Sequence, residues 1–175
     1  MRNFKIDPLH SYVGFKVKHM MITNVNGSFK DYDAKMISAT EDFSDAQIDF
    51  QCAVNSITTN ISDRDEHLKS PDFFDAEKYP EIIFKSNRLD KVTDNTYTID
   101  GELTIKGVTK TVTLSGKYNG NDTDTYGNLK HGFEMFGTIN RNEFDLTCQA
   151  VSGKGNMLIG EEIKIIINIL MIETL

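Results

Sequence analysis

The chain has 175 residues, of which 39% are hydrophobic and 26% are charged, which suits one globular domain with an ordinary core. Its formal net charge of -7 argues against a nucleic-acid partner, because nucleic-acid binders concentrate Lys and Arg on one face and no basic run appears here. The same acidity disfavours adhesion to anionic membranes. We therefore expect a single domain over residues 1–175.

The N-terminal residues, MRNFKIDPLH, contain no apolar segment of the kind that forms a secretory signal peptide, so we expect a cytoplasmic protein. The longest apolar stretch is IKIIINILMI at 163–172, which is shorter than the roughly 20 residues of a membrane helix. It predicts a buried strand, with no membrane anchor. Cys52 and Cys148 form no CxxC motif and indicate neither a zinc site nor a disulfide framework.

Apolar and polar residues alternate along several segments, a pattern typical of antiparallel strands with one buried face. The alternation begins in HSYVGFKVKH and recurs in QIDFQCAV, YTIDGELTI, VTKTVTLSGKY and HGFEMFGTI. The residues expected to share an inner face are Val13, Phe15, Val17, His19, Ile48, Phe50, Cys52, Val54, Tyr97, Ile99, Leu103, Ile105, Val108, Val112, Leu114, Tyr118, Phe133, Met135 and Ile139.

Short segments rich in turn-forming residues separate these strands and predict hairpins. They are VNGS at 25–28, DN at 94–95, KGV at 106–108, NGNDTDTYGN at 119–128 and SGKGN at 152–156. About eight strands with no long helical pattern favour a closed or nearly closed barrel, or a sandwich, over a parallel α/β fold.

One segment departs from the strand pattern: ISDRDEHLKSPDFFDAEKYPEIIFKS at 61–86. Ser62 or Asp63 is a candidate N-cap, acidic residues follow in the first turn, and Pro71 ends the pattern, so SDRDEHLKS predicts a short helix. DFFDAEKYP is then a loop, and EIIFKS resumes as a strand.

The charged residues of this helix allow a functional and a structural interpretation. Asp63, Asp65 and His67 are metal-binding residue types, but no second His lies within helical reach, so we expect no metal site. General acid-base catalysis by Asp65 and His67 would require a pocket and a perturbed pKa. We favour the structural interpretation, in which Arg64 and Asp65 tie the helix to a barrel rim and the Phe pair that follows fills an apolar gap.

Four segments together resemble the YceI-like family of polyisoprenoid-binding, lipocalin-like proteins: DPLHSYVGFKVKHMMITNVNGSF, SITTNISDRDEHLKSPDFFDAEKYPEIIFKS, GELTIKGVTKTVTL and INRNEFDL. The resemblance runs from about residue 4 to about residue 172. It implies an all-β fold, an extended antiparallel lipocalin-like β-barrel of about eight strands with one short helix and an apolar tunnel. Many relatives are exported behind a signal peptide, which the N-terminal residues here do not resemble.

The resemblance also implies a function: noncatalytic binding, sequestration or transport of a long-chain isoprenoid or similar amphiphilic lipid inside the barrel. No cofactor is required, and a polyisoprenoid, a quinone or a fatty amphiphile is the expected ligand. The expected partners are that lipid and a second copy of the chain in a homodimer, with no nucleic acid.

Because the family's tunnel is defined by shape, candidate ligand-binding residues come from the apolar strand faces. The candidates for the tunnel wall are Val13, Phe15, Val17, Phe29, Ile48, Phe50, Phe84, Ile99, Leu103, Phe133, Met135 and Ile139. His19, Arg64 and Arg141 are candidates for meeting a polar or pyrophosphate head group. Asp145 stands where the family usually has Gly, which is expected to alter a bulge near Arg141.

Alternation alone leaves open whether the interior is an empty tunnel or a filled core, since an eight-stranded barrel is just wide enough for side chains or one small ligand. One alternative function is an enzyme acting on an isoprenoid lipid, with Asp65 and either His67 or His19 as acid and base. The other is a ligand-free structural or stress-related dimer whose barrel is filled by its own side chains.

Overall fold

The structure is a computed structural model that describes residues 1–148 and 158–174 of the chain. The described residues form eleven strands and one α-helix. In chain order these are β1 (Arg2–Ile6), β2 (Tyr12–His19), β3 (Thr23–Phe29), β4 (Tyr32–Ser38), β5 (Gln47–Ala53), β6 (Ile57–Thr58), α1 (Ser62–Lys69), β7 (Glu81–Lys91), β8 (Thr96–Ile105), β9 (Val108–Thr123), β10 (Leu129–Asn140) and β11 (Ile159–Thr174). Short 3₁₀ turns lie at Pro8–His10, Val54–Ser56 and Arg141–Phe144.

Eight antiparallel strands close into a barrel in the order β1-β4-β5-β7-β8-β9-β10-β11, and β11 pairs back to β1. One edge of β11 receives two partners in succession, because its first half pairs with β2 and its last residues pair with β1. β3 and β6 extend the sheet beyond β2. The expected all-β barrel of about eight strands with one short helix is therefore confirmed.

The alternation in the sequence corresponds to inner and outer faces of the barrel, as β8 shows most clearly. Tyr97, Ile99, Leu103 and Ile105 are buried there, while the residues between them are more exposed, apart from Gly101. In β11 the same period buries alternate residues near the end of the strand. The core is thus the lumen of the barrel, lined by one face of each strand.

The prediction of a turn at VNGS, 25–28, is wrong, because this segment lies inside β3 and the turn is at Met20–Ile22. Gly27 pairs directly with Phe15 of β2. A Cβ at Gly27 would lie 2.1 Å from the Phe15 ring. The glycine therefore makes room for an aromatic ring on the neighbouring strand instead of supplying a turn.

The other described turns fall near their predicted positions. Lys106 and Gly107 join β8 to β9 with φ of 51° and 74°, the combination typical of a two-residue hairpin. The segment NGNDTDTYGN was predicted to be a connection throughout, which is wrong: β9 continues to Thr123 past a register shift, and only 124–128 connect it to β10. The predicted turn at 152–156 lies outside the described residues.

The helix α1 is confirmed, but the predicted N-cap is wrong. Neither Ser62 nor Asp63 caps the helix, which is preceded by Ile61 and has no side-chain cap. Its first turn is instead fixed by Asp65, whose carboxylate accepts from the backbone N–H of Thr59 at 2.7 Å and from the Thr59 hydroxyl at 2.6 Å. The helix start is therefore anchored to the residue that follows β6.

Candidate ligand-binding cavity

An apolar cavity of about 360 Å³ occupies the barrel interior. Its volume lies within the range of small-molecule binding sites. Ten of the predicted tunnel residues line it: Val13, Phe15, Val17, Phe29, Ile48, Phe50, Phe84, Leu103, Met135 and Ile139. That they bind a ligand stays a prediction.

The remaining two candidates, Ile99 and Phe133, line a smaller cavity of about 40 Å³ instead. The two cavities share four wall residues, Ala34, Ile48, Met135 and Ile169, so they lie next to each other along the lumen. The interior is therefore an apolar column that is wide on one side of this ring of residues and narrow on the other.

The wide cavity reaches the protein surface at the end formed by α1, the β2–β3 hairpin and the start of β11, which we call the mouth. Lys18 and His67 are exposed and still contribute to the cavity wall there. Phe73 and Phe74, which follow α1, are buried and line the same cavity. The Phe pair thus packs beside the lumen, as expected from the sequence.

At the opposite end, which we call the closed end, Phe43 from the β4–β5 loop is only 2% exposed. Its ring packs edge-on against Phe4, Tyr118, His131 and Phe133, with ring centroids 5.1–5.7 Å apart. Edge-to-face aromatic packing of this kind adds to the apolar burial. A plug of rings therefore ends the narrow cavity.

The loop that carries Phe43 is held by its own carboxylates. Asp45 accepts hydrogen bonds from the Ser38 hydroxyl at 2.6 Å and from the backbone N–H of Ala39 at 2.9 Å. These bonds, with others from Thr40, hold the pKa of the Asp45 carboxyl well below its ordinary value. Because the Tyr97 hydroxyl also donates to the backbone oxygen of Asp42 at 2.6 Å, the loop is tied to the barrel wall.

A buried histidine lies beside the plug and was not identified from the sequence. His131 is 3% exposed, with Nδ1 3.0 Å from the Tyr118 hydroxyl and Nε2 3.1 Å from a Glu173 carboxylate oxygen. Burial lowers the pKa of His131, although the Glu173 carboxylate opposes this shift. The only sequence signal was a lone His in an alternating strand, which does not indicate partners 13 and 42 residues away.

Arg64 lines the wide cavity near the mouth and is bonded to the same residue as Asp65. Its Nε donates to the Thr59 hydroxyl at 2.7 Å, and one terminal nitrogen donates to the Thr59 carbonyl at 2.9 Å. Arg64 therefore ties the helix to the residue that follows β6, a strand that extends the sheet beside β3, and a tie to the rim of the eight-stranded barrel stays a prediction. His19, at the end of β2, lines the same cavity.

Arg141 also lines the cavity but is 2% exposed. Its guanidinium donates to the backbone oxygens of Gly160 at 2.9 Å, Ile159 at 3.2 Å and Cys148 at 3.4 Å, and also to that of Leu146. Among the described residues no carboxylate forms an ion pair with it. Arg141 therefore joins the end of β10 to the start of β11 by satisfying buried carbonyls.

Asp65 was considered as an acid-base partner of His67 or His19. Among the hydrogen bonds of residues 1–148 and 158–174, none joins Asp65 to either histidine. Asp65 accepts from Thr59, whereas Nε2 of His67 lies 3.3 Å from Asp72 and its ring packs edge-on against Phe73. In the same residues, no group of three or more His, Cys, Asp or Glu side chains is arranged to hold a metal ion. Burial raises the pKa of Cys52 to about 12, so this thiol is unreactive.

One wall of the cavity was missing from the sequence candidates. Ile163, Ile165, Ile167 and Ile169 of β11 all line it, and they alternate along IKIIINILMI. The period-two pattern was available in this segment, but its continuous apolar character indicated only burial and concealed which residues share a face. In the described part of the chain, no helix is long and apolar enough to span a membrane.

Comparison with known proteins identifies the family. The model of the YceI-like domain matches residues 4–171. The chain belongs to the YceI family. A UPF0312 protein of Photorhabdus laumondii is 34% identical to this YceI chain over 145 residues, which are 82% of this chain and 75% of that protein. The resemblance seen in the sequence is therefore confirmed.

Two solved structures share the fold of this YceI chain. BcnA of Burkholderia cenocepacia matches with a TM-score of 0.82 at 23% identity, over 94% of this chain and 98% of its own. A polyisoprenoid binding domain from Saccharophagus degradans, implicated in plant cell wall breakdown, matches with a TM-score of 0.70 at 11% identity, over 98% of each chain. At these identities the similarity shows a common architecture.

Proposed function

We propose that this protein binds a long-chain isoprenoid, or a similar amphiphilic lipid, inside the barrel and carries or sequesters it without chemical change. The observation that carries the proposal is the apolar cavity of about 360 Å³, which has a mouth at one end and the Phe43 plug at the other. A lipid tail would enter through the mouth and extend toward the plug. The Saccharophagus domain, which has the same fold and is described as polyisoprenoid binding, supports this proposal.

The driving force would be the removal of the tail from water. Burial of apolar surface contributes about 25 cal/mol per Å², so a chain that buries roughly 400 Å² would gain about 10 kcal/mol before ordering costs are subtracted. The wall of the cavity offers almost no polar group along its length except near the mouth. Affinity would therefore come from the tail, with little dependence on its detailed chemistry.

Selectivity for the head group would come from the polar residues at the mouth. His19 and Arg64 line the cavity there and are only partly buried, so both can meet a polar or pyrophosphate group. Arg141 lines the cavity as well, but its donors are engaged by backbone carbonyls. We propose that Arg141 contributes mainly by shaping the mouth and by its positive charge.

Native mass spectrometry of the freshly purified protein, with extraction of whatever lipid is released, tests the proposal. We expect one bound lipid per chain, or uptake of one molecule when the protein is incubated with a long prenol or a quinone. A protein that stays ligand-free after both treatments would favour the filled, ligand-free barrel. A prenyl pyrophosphate recovered with a changed mass would overturn the noncatalytic part.

A matched pair of variants locates the site. Phe50 lines the cavity and is not fully buried, so Phe50→Asp should still fold, although it places a charge in an apolar wall and should abolish lipid retention. Phe136→Asp on β10 changes a ring that is 44% exposed and should leave retention unchanged. Lipid retention by folded Phe50→Asp would refute this wall assignment.

A further inference from the structure

The lumen changes from the wide to the narrow cavity at one level along the barrel. On β10, Phe133 lines only the narrow cavity, Ile139 lines only the wide one, and Met135 between them lines both. The same order holds on β11, where Ile169 lines both cavities and Met171 lines only the narrow one. We call the residues that line both cavities the shared ring: Ala34, Ile48, Met135 and Ile169.

The wall formed by β7 and β8 is filled at this level by the ring of Phe84. On β8, Leu103 lines the wide cavity, Ile99 lines the narrow one, and Gly101 lies between them. A Cβ at Gly101 would lie 2.5 Å from the Phe84 ring, so this ring lies over the glycine, between the two cavities. In this part of the wall the boundary is therefore a rigid aromatic ring.

Met135 is the member of the shared ring whose side chain is both large and adjustable. Ala34 has only a methyl group, and Ile48 and Ile169 are β-branched and stiff at χ1. A methionine is unbranched, has three rotatable bonds and adapts to irregular spaces. On β9 it pairs with Gly116, which lines the narrow cavity and has no side chain to hold Met135 away from it. Met135 is therefore the ring residue best able to open or close the passage between the cavities.

The narrow cavity has room for a short extension of a tail. Its volume of about 40 Å³ holds roughly three groups the size of a water molecule, at roughly 10–15 Å³ each. Truncation of Met135 to alanine removes Cγ, Sδ and Cε and adds a similar space. Together the two spaces suit about one isoprene unit. Beyond them the Phe43 plug, which packs against Phe133, ends the column.

We infer that Met135 sets the length of the tail that the barrel accepts. The tail of the ligand ends at the shared ring, and the narrow cavity beyond it takes no part in binding. This inference rests on the proposed function and adds a specificity-determining residue to it. Each methylene that stays in water instead of entering the cavity lowers the affinity about fourfold. The barrel therefore selects its ligand by tail length, although its apolar wall tolerates different tail chemistries.

Native mass spectrometry with a length series of prenols tests the inference. The protein is freed of co-purified lipid and incubated with an equimolar mixture of all-trans prenols that differ by one isoprene unit. The mass of the complex then gives the bound length, and the alcohol head group is the same throughout. We expect the most abundant bound prenol in Met135→Ala to be one isoprene unit longer than in the wild type, because the truncation joins the two cavities.

Met171→Ala is the matched control, because it removes the same atoms from a side chain that lines the narrow cavity and not the wide one. Both methionines are buried, so both truncations are made in the core. A larger narrow cavity behind an intact shared ring should leave the bound length unchanged. If Met171→Ala instead binds a longer prenol, the wild-type tail already passes Met135 and the inference is wrong.

Uptake and bound length are separate readouts, so the inference and the proposed function can fail separately. Wild-type protein that takes up no prenol overturns both. Uptake by the wild type with the same bound length in Met135→Ala overturns the inference alone. If Met135→Ala does not fold, Met135→Val keeps an apolar residue that suits a strand and should shift the bound length in the same direction. An unchanged length in folded Met135→Val also overturns the inference.

Discussion

The two ends of the barrel are built in contrasting ways. At the closed end, Phe43 packs among four aromatic rings, and its loop is fixed by carboxylates that accept several hydrogen bonds each. At the mouth, arginines bond to backbone carbonyls beside an open apolar cavity. The closed end therefore supplies packing, and the mouth supplies access.

Backbone strain follows the same division. The described residues include seven non-glycine residues with positive φ, and all except Phe43 lie in the turns at the mouth: Met20, Met21, Asn60, Asp75, Lys106 and Asp145. Such residues persist only where the surrounding structure holds them in place. The closed end therefore contributes more to the stability of the fold. The strained residues in the turns at the mouth lower it.

The largest effect should come from removing the plug. Phe43→Ala deletes a ring that touches four others, and we expect it to lower the free energy of unfolding by about 3–5 kcal/mol, as for other buried Phe-to-Ala changes. Chemical denaturation measures the loss. The matched control is Phe136→Ala, whose ring is 44% exposed and should cost much less. Equal losses in the two variants would remove the basis for calling this end the stable one.

Arg141 should give the next effect, at the mouth. Arg141→Met keeps a long side chain but leaves buried carbonyls of Gly160 and Leu146 without a donor, which should cost about 3 kcal/mol. Arg88→Met, at an exposed arginine on β7, serves as the control and should cost little. If Arg141→Met retained its stability but no longer bound lipid, Arg141 would act on the head group and not on the fold.

The sequence was sufficient to predict the barrel walls, because alternation in segments such as YTIDGELTI is a local property that the strands retain on folding. It also supported a structural role for Arg64 and Asp65, since their hydrogen-bond partner Thr59 is close to them in sequence. The closed end was not predictable in the same way. Phe43 comes from a polar loop, and its partners are brought to it by strand pairings that no local pattern encodes.

Glycine misled the prediction of the β2–β3 turn for a related physical reason. Gly27 was taken to mark a turn, but it lies under the Phe15 ring, while the actual turn contains two methionines. Turn rules rest on local preferences, and both positions here are set by contacts with other parts of the molecule.

His131 should give a smaller, pH-dependent effect at the closed end. Because burial holds its pKa below the ordinary value of 6.5, the unfolded chain binds a proton more readily than the folded one. His131 therefore makes its full contribution to the free energy of unfolding at pH values above 6.5. This contribution falls as the pH drops from 6.5 through the lowered pKa. Denaturation from about pH 8 to about pH 5 should show this decline, which His131→Gln should flatten. The control is His19→Gln, at the mouth, which should show the same decline as the wild type. If the decline disappeared in His19→Gln, the pH dependence would not arise from the plug.

The smallest predicted effect is a gain in stability at the mouth. Asp145 has φ of 57° at the end of the 3₁₀ turn that begins with Arg141, a conformation that glycine adopts without a Cβ penalty. Asp145→Gly should therefore raise the free energy of unfolding by up to about 1 kcal/mol. Glu143→Gly lies inside the same turn, without positive φ, and should lower it. If both variants were less stable than the wild type, the Asp145 side chain would be stabilising this turn. Backbone strain would then not explain why the mouth is the less stable end.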